Sequence, residues 1–105
     1  MNKRNQNAKA AALDLVADLP VIDENDPRVY IVFFAADDTK NDEIIDGGPV
    51  ASKNPADTIE GIFDAFDTYD VTIEFVSAAV PDTDDGHENA LDQYSRHIDE
   101  LLGWR

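Results

Sequence analysis

Carboxylates are the most abundant side chains in this sequence that could do chemistry, and four of them share one predicted helix. Asp57, Glu60, Asp64 and Asp67 follow the spacing i, i+3, i+7 and i+10, which places them on one helical face. At a rise of ~1.5 Å per residue, successive carboxylates stand about 5 Å apart along the axis. Such a row could occupy phosphate positions in a basic groove, where a DNA strand rises by ~3.4 Å per phosphate. It could also bind cations, or simply face solvent.

A second acidic group follows the strongest predicted strand, in a segment expected to be a loop from residue 37 to residue 46. Its members are Asp37, Asp38, Asp42 and Glu43. The whole chain has 23 acidic and 8 basic residues, a net charge of −15, and no Lys or Arg between residues 54 and 95. This field repels nucleic acid and anionic membranes and attracts basic partners. The sequence therefore predicts a basic, nucleic-acid-binding protein as partner, with both acidic groups in the contact surface.

The segment from Asp82 to Glu88 has the composition of a cation-binding loop but not its spacing. Counted from Asp82, the fifth position is Gly86 and the sixth, which a calcium loop reserves for glycine, is His87. Thr83 or Asp84 is instead expected to cap a helix, with neighbouring acids near its positive end. The prediction is that no metal site exists here, with weak divalent binding as the alternative.

Catalytic arrangements are missing from the pattern. His87 and His97 are ten residues apart and form no ligand pair. Ser52 and Ser77 lack the context of a nucleophile elbow. The glycines near Asp46 are flanked by acids and do not form a phosphate loop, and the sequence contains no cysteine. We predict neither an enzyme nor a cofactor.

The elements that must position the acidic side chains follow from hydrophobic periodicity. A helix is predicted over residues 5–19, ended by Pro20, and a strand buried on both faces over residues 29–35. Asn54 and Pro55 begin the second helix as N-cap and first helical residue. A strand over 71–80 and a helix from Thr83 or Asp84 to Leu102 complete the chain, while a short hairpin over 44–51 is a weaker prediction.

Two helical faces are expected to be buried. The second helix should bury Ile59, Ile62, Phe63 and Phe66, with Tyr69 continuing the stripe. The third helix should bury Leu91, Tyr94, Ile98, Leu101 and Leu102, and Gly103 should take a left-handed conformation after its last turn.

The predicted architecture is a single α/β domain over residues 1–105, with α+β as the alternative. Its order is α-β-(ββ)-α-β-α, with three helices on a sheet of two to four strands. A parallel crossover between strands 29–35 and 71–80 and an antiparallel arrangement both remain open.

In size and charge the chain is similar to the small acidic inhibitors by which phages and mobile elements block restriction, repair or CRISPR nucleases as nucleic-acid mimics. No motif assigns it to a particular family of them. Adaptation to high salt and a housekeeping interaction with a basic protein are the alternatives. The start Met1-Asn2-Lys3-Arg4 precedes no apolar signal segment, and no apolar run approaches the ~20 residues that span a bilayer, so a cytoplasmic protein is expected.

Overall fold

The computed structural model describes residues 2–38, 40–41 and 43–103. In this part of the chain three helices and four strands form an α+β fold, in the order α1 Lys3–Val16, β1 Arg28–Asp38, β2 Glu43–Ser52, α2 Pro55–Ala65, β3 Asp70–Val76, β4 Val80–Pro81 and α3 Asp84–Leu102.

The sheet is antiparallel, and β1 is its centre. β2 pairs with one edge of β1, and β3 and β4 share the other edge. Between β3 and β4, the Ser77 N–H donates to the Ile31 carbonyl at 2.9 Å, and the Ser77 hydroxyl accepts from the Ile31 N–H at 2.9 Å. The predicted strand 71–80 is thus two strands, β3 and β4, which lie along the same edge of β1 and are separated by residues 77–79. Of the two arrangements left open by the sequence, the antiparallel one is observed.

The two faces of the sheet carry different numbers of helices. Alternate residues of β1 point to opposite faces, and its apolar run is buried on both, as predicted. On what we call the two-helix face, α1 and α2 cover a core formed by Ala12, Val16, Val32, Phe34, Ala36, Ile59, Ile62, Phe63 and Val71. On the one-helix face, α3 covers a smaller core formed by Val29, Ile31, Phe33, Val80 and Ala90.

Helix α1 is held to β3 by polar side chains near its start. Asn5 is fully buried, and its amide donates to the Tyr69 carbonyl at 2.7 Å and accepts from the Val71 N–H at 3.1 Å. The Arg4 guanidinium donates to the Val71 carbonyl at 2.8 Å. Because these bonds satisfy backbone groups where β3 begins, they fix the N-terminal helix against that strand.

The predicted bounds of α1 require a correction. The helix begins two residues earlier than expected and ends at Val16, before Pro20, so the proline is not what ends it. Ala12 and Val16 are buried, but Leu15 is exposed because its side of the helix lies outside the packed layer.

The predicted hairpin over residues 44–51 is wrong. This segment belongs to the single strand β2, which pairs with β1. Gly48 lies opposite Phe34 with a φ of 131°, so the glycine pair accommodates an irregular strand instead of a turn. The acidic loop is correspondingly shorter, since Asp37 and Asp38 still belong to β1 and Glu43 begins β2.

Helix α2 begins as predicted. The Asn54 side chain accepts from the Asp57 N–H at 3.3 Å, and Pro55 is the first helical residue. The helix ends at Ala65, so Phe66 and Tyr69 follow it and are only partly buried, whereas the other three stripe residues are fully covered.

Helix α3 has the predicted bounds but not the predicted buried face. Thr83 caps its start by accepting from the Gly86 N–H at 3.1 Å, and Gly103 is left-handed with a φ of 70°. Its buried residues are Gly86 and Ala90, and Tyr94 and Ile98 are partly buried. Leu91 is exposed because it lies to one side of the row Gly86, Ala90 and Tyr94 that packs on the sheet, and Leu101 and Leu102 are exposed in the last turn of the helix.

Among the residues described, none of the helices is long and apolar enough to cross a membrane.

Candidate acidic interaction surface

The predicted carboxylate row on α2 is present in the structure, with one change. Asp57, Glu60 and Asp64 lie on the exposed side of the helix, and Asp67 is exposed but follows the helix end. Asp57 also contacts the N-cap, since the Asn54 amide donates to its carboxylate at 3.1 Å. The row therefore consists of three carboxylates on the helix and a fourth in the turn that follows it.

One member of the row has a cation that sequence reasoning missed. Glu60 lies 3.8 Å from the Lys9 ammonium of α1, with half of the glutamate side chain exposed. The absence of Lys and Arg between residues 54 and 95 indicates no neighbouring cation for this row, but packing brings α1 and its Lys9 beside α2. At this exposure and distance the ion pair contributes little to stability.

The second predicted acidic group is divided between two strand ends. Asp37 and Asp38 end β1, Glu43 begins β2, and Asp42 lies outside the described residues. The Asp38 carboxylate accepts from the Lys40 N–H at 3.1 Å and from the Asn41 amide at 2.7 Å, which ties it into the connecting loop.

Register places like charges opposite one another at this end of the sheet. Asp38 pairs with Glu43 across β1 and β2, and Asp37 pairs with Asp70 across β1 and β3. Residues directly opposite have Cβ atoms only ~5 Å apart, and like charges there destabilise a sheet. One carboxylate oxygen of Asp37 is buried and has no hydrogen-bond partner among the described residues. Folding alone does not explain why these acids are kept.

The end of the α2 row and the second acidic group meet at one end of the molecule. Asp67 precedes Asp70 by three residues, so their Cα atoms are at most about 11 Å apart. Asp64 lies in the last turn of α2, which leads into this connection. We define the acidic end as Asp37, Asp38, Glu43, Asp64, Asp67 and Asp70. Within the described ranges, none of these six carboxylates is ion-paired.

Asp70 is the member that sequence reasoning missed. Only the antiparallel register of β3 on β1 brings it opposite Asp37, and no spacing in the chain indicates that pairing. Asp57, by contrast, belongs to the far end of α2, close to Ser52 and the end of β2.

Basic side chains lie near the acidic end without pairing to it. Lys3 and Arg4 belong to the first turn of α1, and Arg4 is already bonded to β3 through Val71 and Thr72. Lys40 stands in the loop between β1 and β2. The bases that look remote in sequence are thus folded back toward the acids, which reduces the charge asymmetry expected from the base-free stretch.

Elsewhere, acids and bases form local pairs. Arg28 contacts the Asp26 carboxylate at 2.7 Å, and Arg96 contacts Asp92 at 2.6 Å on the surface of α3. Hydrogen bonding from the Arg28 side chain and backbone lowers the pKa of Asp26 to about 2. The Lys53 ammonium donates to three backbone carbonyls of the turn at residues 23–26 instead of to a carboxylate.

The residues considered for metal binding or catalysis have structural partners. The Nε2 atom of His87 lies 2.8 Å from Asp82, and the ring of His97 lies 4.9 Å from that of Phe75 at the edge of the core. In residues 2–38, 40–41 and 43–103 no group of three or more His, Cys, Asp or Glu side chains could hold a metal ion. What this surface can do chemically is attract and hold positive charge.

The chain matches no family model, and neither a curated protein nor a solved structure is significantly similar to it.

Proposed function

We propose that this protein is a small acidic inhibitor that acts in the cytoplasm by occupying the nucleic-acid-binding surface of a basic protein. A CRISPR or restriction nuclease of a host cell is the partner class that fits best. Carboxylates of α2 and of the acidic end would take phosphate positions in a Lys/Arg-lined channel and exclude DNA or RNA.

The observation that supports this proposal most directly is the opposition of like charges at the end of the sheet. The pairs formed by Asp37 with Asp70 and by Asp38 with Glu43 reduce the stability of the isolated protein. A cationic partner would relieve that repulsion, and this relief would add to the free energy of binding. The α2 carboxylates continue the same surface at spacings of about 5 Å.

A binding assay with two charge-matched variants tests the proposal. The first variant replaces the α2 row: Asp57→Asn, Glu60→Gln, Asp64→Asn and Asp67→Asn. The control removes the same number of charges from exposed acids elsewhere: Asp14→Asn, Asp18→Asn, Asp99→Asn and Glu100→Gln. In a gel-shift assay, wild type should release DNA from a sensitive CRISPR or restriction nuclease, the row variant should need at least about ten times more protein, and the control should resemble wild type.

Two outcomes would contradict the proposal in different ways. Equal weakening by both variants would mean that net charge alone acts and that the surface is wrongly assigned. Failure of wild type to displace DNA from any nuclease tested at low salt, where electrostatic attraction is strongest, would reject the function itself.

Adaptation to high salt is the second candidate, because exposed acids also cover α3 and the turns. Thermal melting separates it from the first. If the acids merely repel one another, moderate salt should raise the melting temperature, and the gain should be nearly complete well below ~1 M, where the Debye length is only ~3 Å. A protein that folds only above that concentration would favour the halophilic interpretation.

A further inference from the structure

The sequence contains two Asp-Gly bonds, Asp46-Gly47 in β2 and Asp85-Gly86 in α3. In such a pair the glycine nitrogen can attack the aspartate side chain, because the two groups close a five-membered ring and glycine has no side chain to shield its nitrogen. Both aspartates are exposed, so their side chains do not distinguish the two sites. The structure places the two glycine nitrogens in opposite situations.

The Gly47 nitrogen lies beside the carboxyl group that it would attack. Its N–H donates to the Asp46 carboxylate at 2.8 Å, and the accepting oxygen is bonded to the carbon that would react. Strand β2 is an edge strand, and Pro49 has no N–H to give to β1. Because alternate N–H groups of a strand point the same way, the Gly47 N–H lies on the outer side of β2.

The backbone around Asp46 is irregular. The register of β1 and β2 shifts here, which leaves Ile45 without a partner on β1, and Gly48 has a φ of 131°. Ring closure requires the chain at Asp46 to leave the extended conformation. An edge strand with a bulge on one side and a glycine pair on the other opposes that rotation less than a regular strand inside a sheet.

The Gly86 nitrogen is held away from the corresponding reaction. Its N–H donates to the Thr83 hydroxyl at 3.1 Å as part of the cap of α3. Gly86 is buried, and a Cβ at this position would lie 1.8 Å from the Pro81 carbonyl oxygen. The nitrogen can therefore reach the Asp85 side chain only after the start of α3 has opened.

We propose that Asp46 is a site of spontaneous isomerisation to isoaspartate and that Asp85 is protected from it by the fold. The Gly47 nitrogen bonds to Cγ of the protonated Asp46 carboxyl group, whose hydroxyl leaves with the amide proton as one water molecule. The resulting succinimide takes up one water. Addition at Cγ restores aspartate, whereas addition at the Asp46 backbone carbonyl gives isoaspartate, in which the main chain runs through Cβ and Cγ. The inference goes beyond the proposed function, because the reaction needs no partner.

The product should loosen one end of β2. Isoaspartate adds one main-chain atom between Ile45 and Gly47, next to the existing register shift. The pairs beyond that point, Asp37 with Ile44 and Asp38 with Glu43, should then lose their alignment. Amide hydrogen exchange at residues 43–45 should accordingly be faster in the isomerised protein.

Incubation of the full chain, folded in buffer and unfolded in urea, tests the proposal. Trypsin separates the two sites into the peptides 41–53 and 54–96, because no Lys or Arg lies between residues 54 and 95. Electron-transfer fragmentation then distinguishes isoaspartate from aspartate. In urea both peptides should accumulate isoaspartate at similar rates. In the folded protein the peptide 41–53 should accumulate it at least about ten times faster, a ratio that corresponds to only about 1.4 kcal/mol of opening free energy.

Two variants complete the test. Asp46→Glu keeps the charge but would have to close a six-membered ring, so isoaspartate should disappear from the peptide 41–53. Thr83→Val removes the hydroxyl that holds the Gly86 N–H, so it should speed the reaction at Asp85 and leave Asp46 unchanged. The proposal is overturned if the folded protein reacts equally fast at both sites, if only the urea sample reacts at Asp46, or if Asp46→Glu still forms isoaspartate in the peptide 41–53.

Discussion

The two faces of the sheet share the same central strand, but helices cover them to different extents. On the two-helix face, Phe63 and Ile59 of α2 are fully buried against Val32 and Phe34 of β1. On the one-helix face, α3 contributes mainly Ala90 and the ring of Tyr94, and it leaves Leu91 exposed beside Phe33. Both faces are apolar in sequence, so the difference arises from how many helices the chain supplies to each.

This difference predicts which substitutions should change the stability of the fold and which should not. A face covered by two helices has its apolar surface removed from water within the chain, and its substitutions should act on folding. A face covered by one helix leaves leucines of that helix exposed, and substitutions of those leucines should act little on folding. The acidic residues have a related division, since some form ion pairs and those of the acidic end form none with the residues that the structure describes.

The largest effect should come from the two-helix face. Phe63→Ala removes a fully buried ring and should lower the free energy of unfolding by about 3–5 kcal/mol. Leu101→Ala on α3 is the comparison, and because Leu101 is largely exposed its change should stay within about 0.5 kcal/mol. Urea unfolding followed by circular dichroism measures both. Equal losses would mean that α3 packs more tightly than the structure shows.

Two glycines give a smaller test of the same contrast. Gly86 is buried where α3 crosses β4, and a Cβ there would lie 1.8 Å from the Pro81 carbonyl oxygen. Gly86→Ala should therefore destabilise the protein by about 1–3 kcal/mol. Gly61 is exposed within α2 with no atom near its Cβ position, so Gly61→Ala should stabilise by about 1 kcal/mol. Thermal melting should move in opposite directions, and a shift of the same sign would contradict the assigned contacts.

The smallest effect concerns the hydroxyl of Tyr94. Burial, together with hydrogen bonding to Glu74, raises the pKa of Tyr94 above its usual value near 10. The folded state thus favours the protonated hydroxyl, so this contribution to stability is complete below pH ~10 and decreases as the pH rises beyond it. Tyr94→Phe should change stability at neutral pH by no more than about 0.5 kcal/mol and should reduce the alkaline loss of stability. Unfolding curves for both proteins across that range provide the measurement, and parallel pH profiles would refute the prediction.

Local rules predicted the starts of α2 and α3 well. Asn54 with Pro55 and Thr83 with the acids after it are short-range signals, because a cap satisfies backbone N–H groups within three residues of itself. Gly103 likewise marks the end of α3 through a left-handed residue that depends only on local geometry.

Local rules failed where distant strands decide the structure. The residues around Gly47 and Gly48 have the composition of a turn, yet pairing with Phe34 and Ala35 holds them in β2. The third helix has a periodic leucine stripe, but periodicity indicates only that a face is apolar and not that a surface exists to cover it. The sequence therefore predicts that Leu91, Leu101 and Leu102 are buried, whereas the structure leaves them exposed.

By itself the sequence determined the mixture of helices and strands, the order of the main elements, the caps of α2 and α3 and the excess of negative charge, since each depends on residues close together in the chain. Only the tertiary structure decided which acids become neighbours and which apolar residues are covered. The opposition of Asp37 and Asp70 follows from antiparallel register, and the approach of Lys9 to Glu60 follows from helix packing. These contacts join residues 33 and 51 positions apart, and such separations are set by the balance of burial over the whole sheet and not by any local pattern.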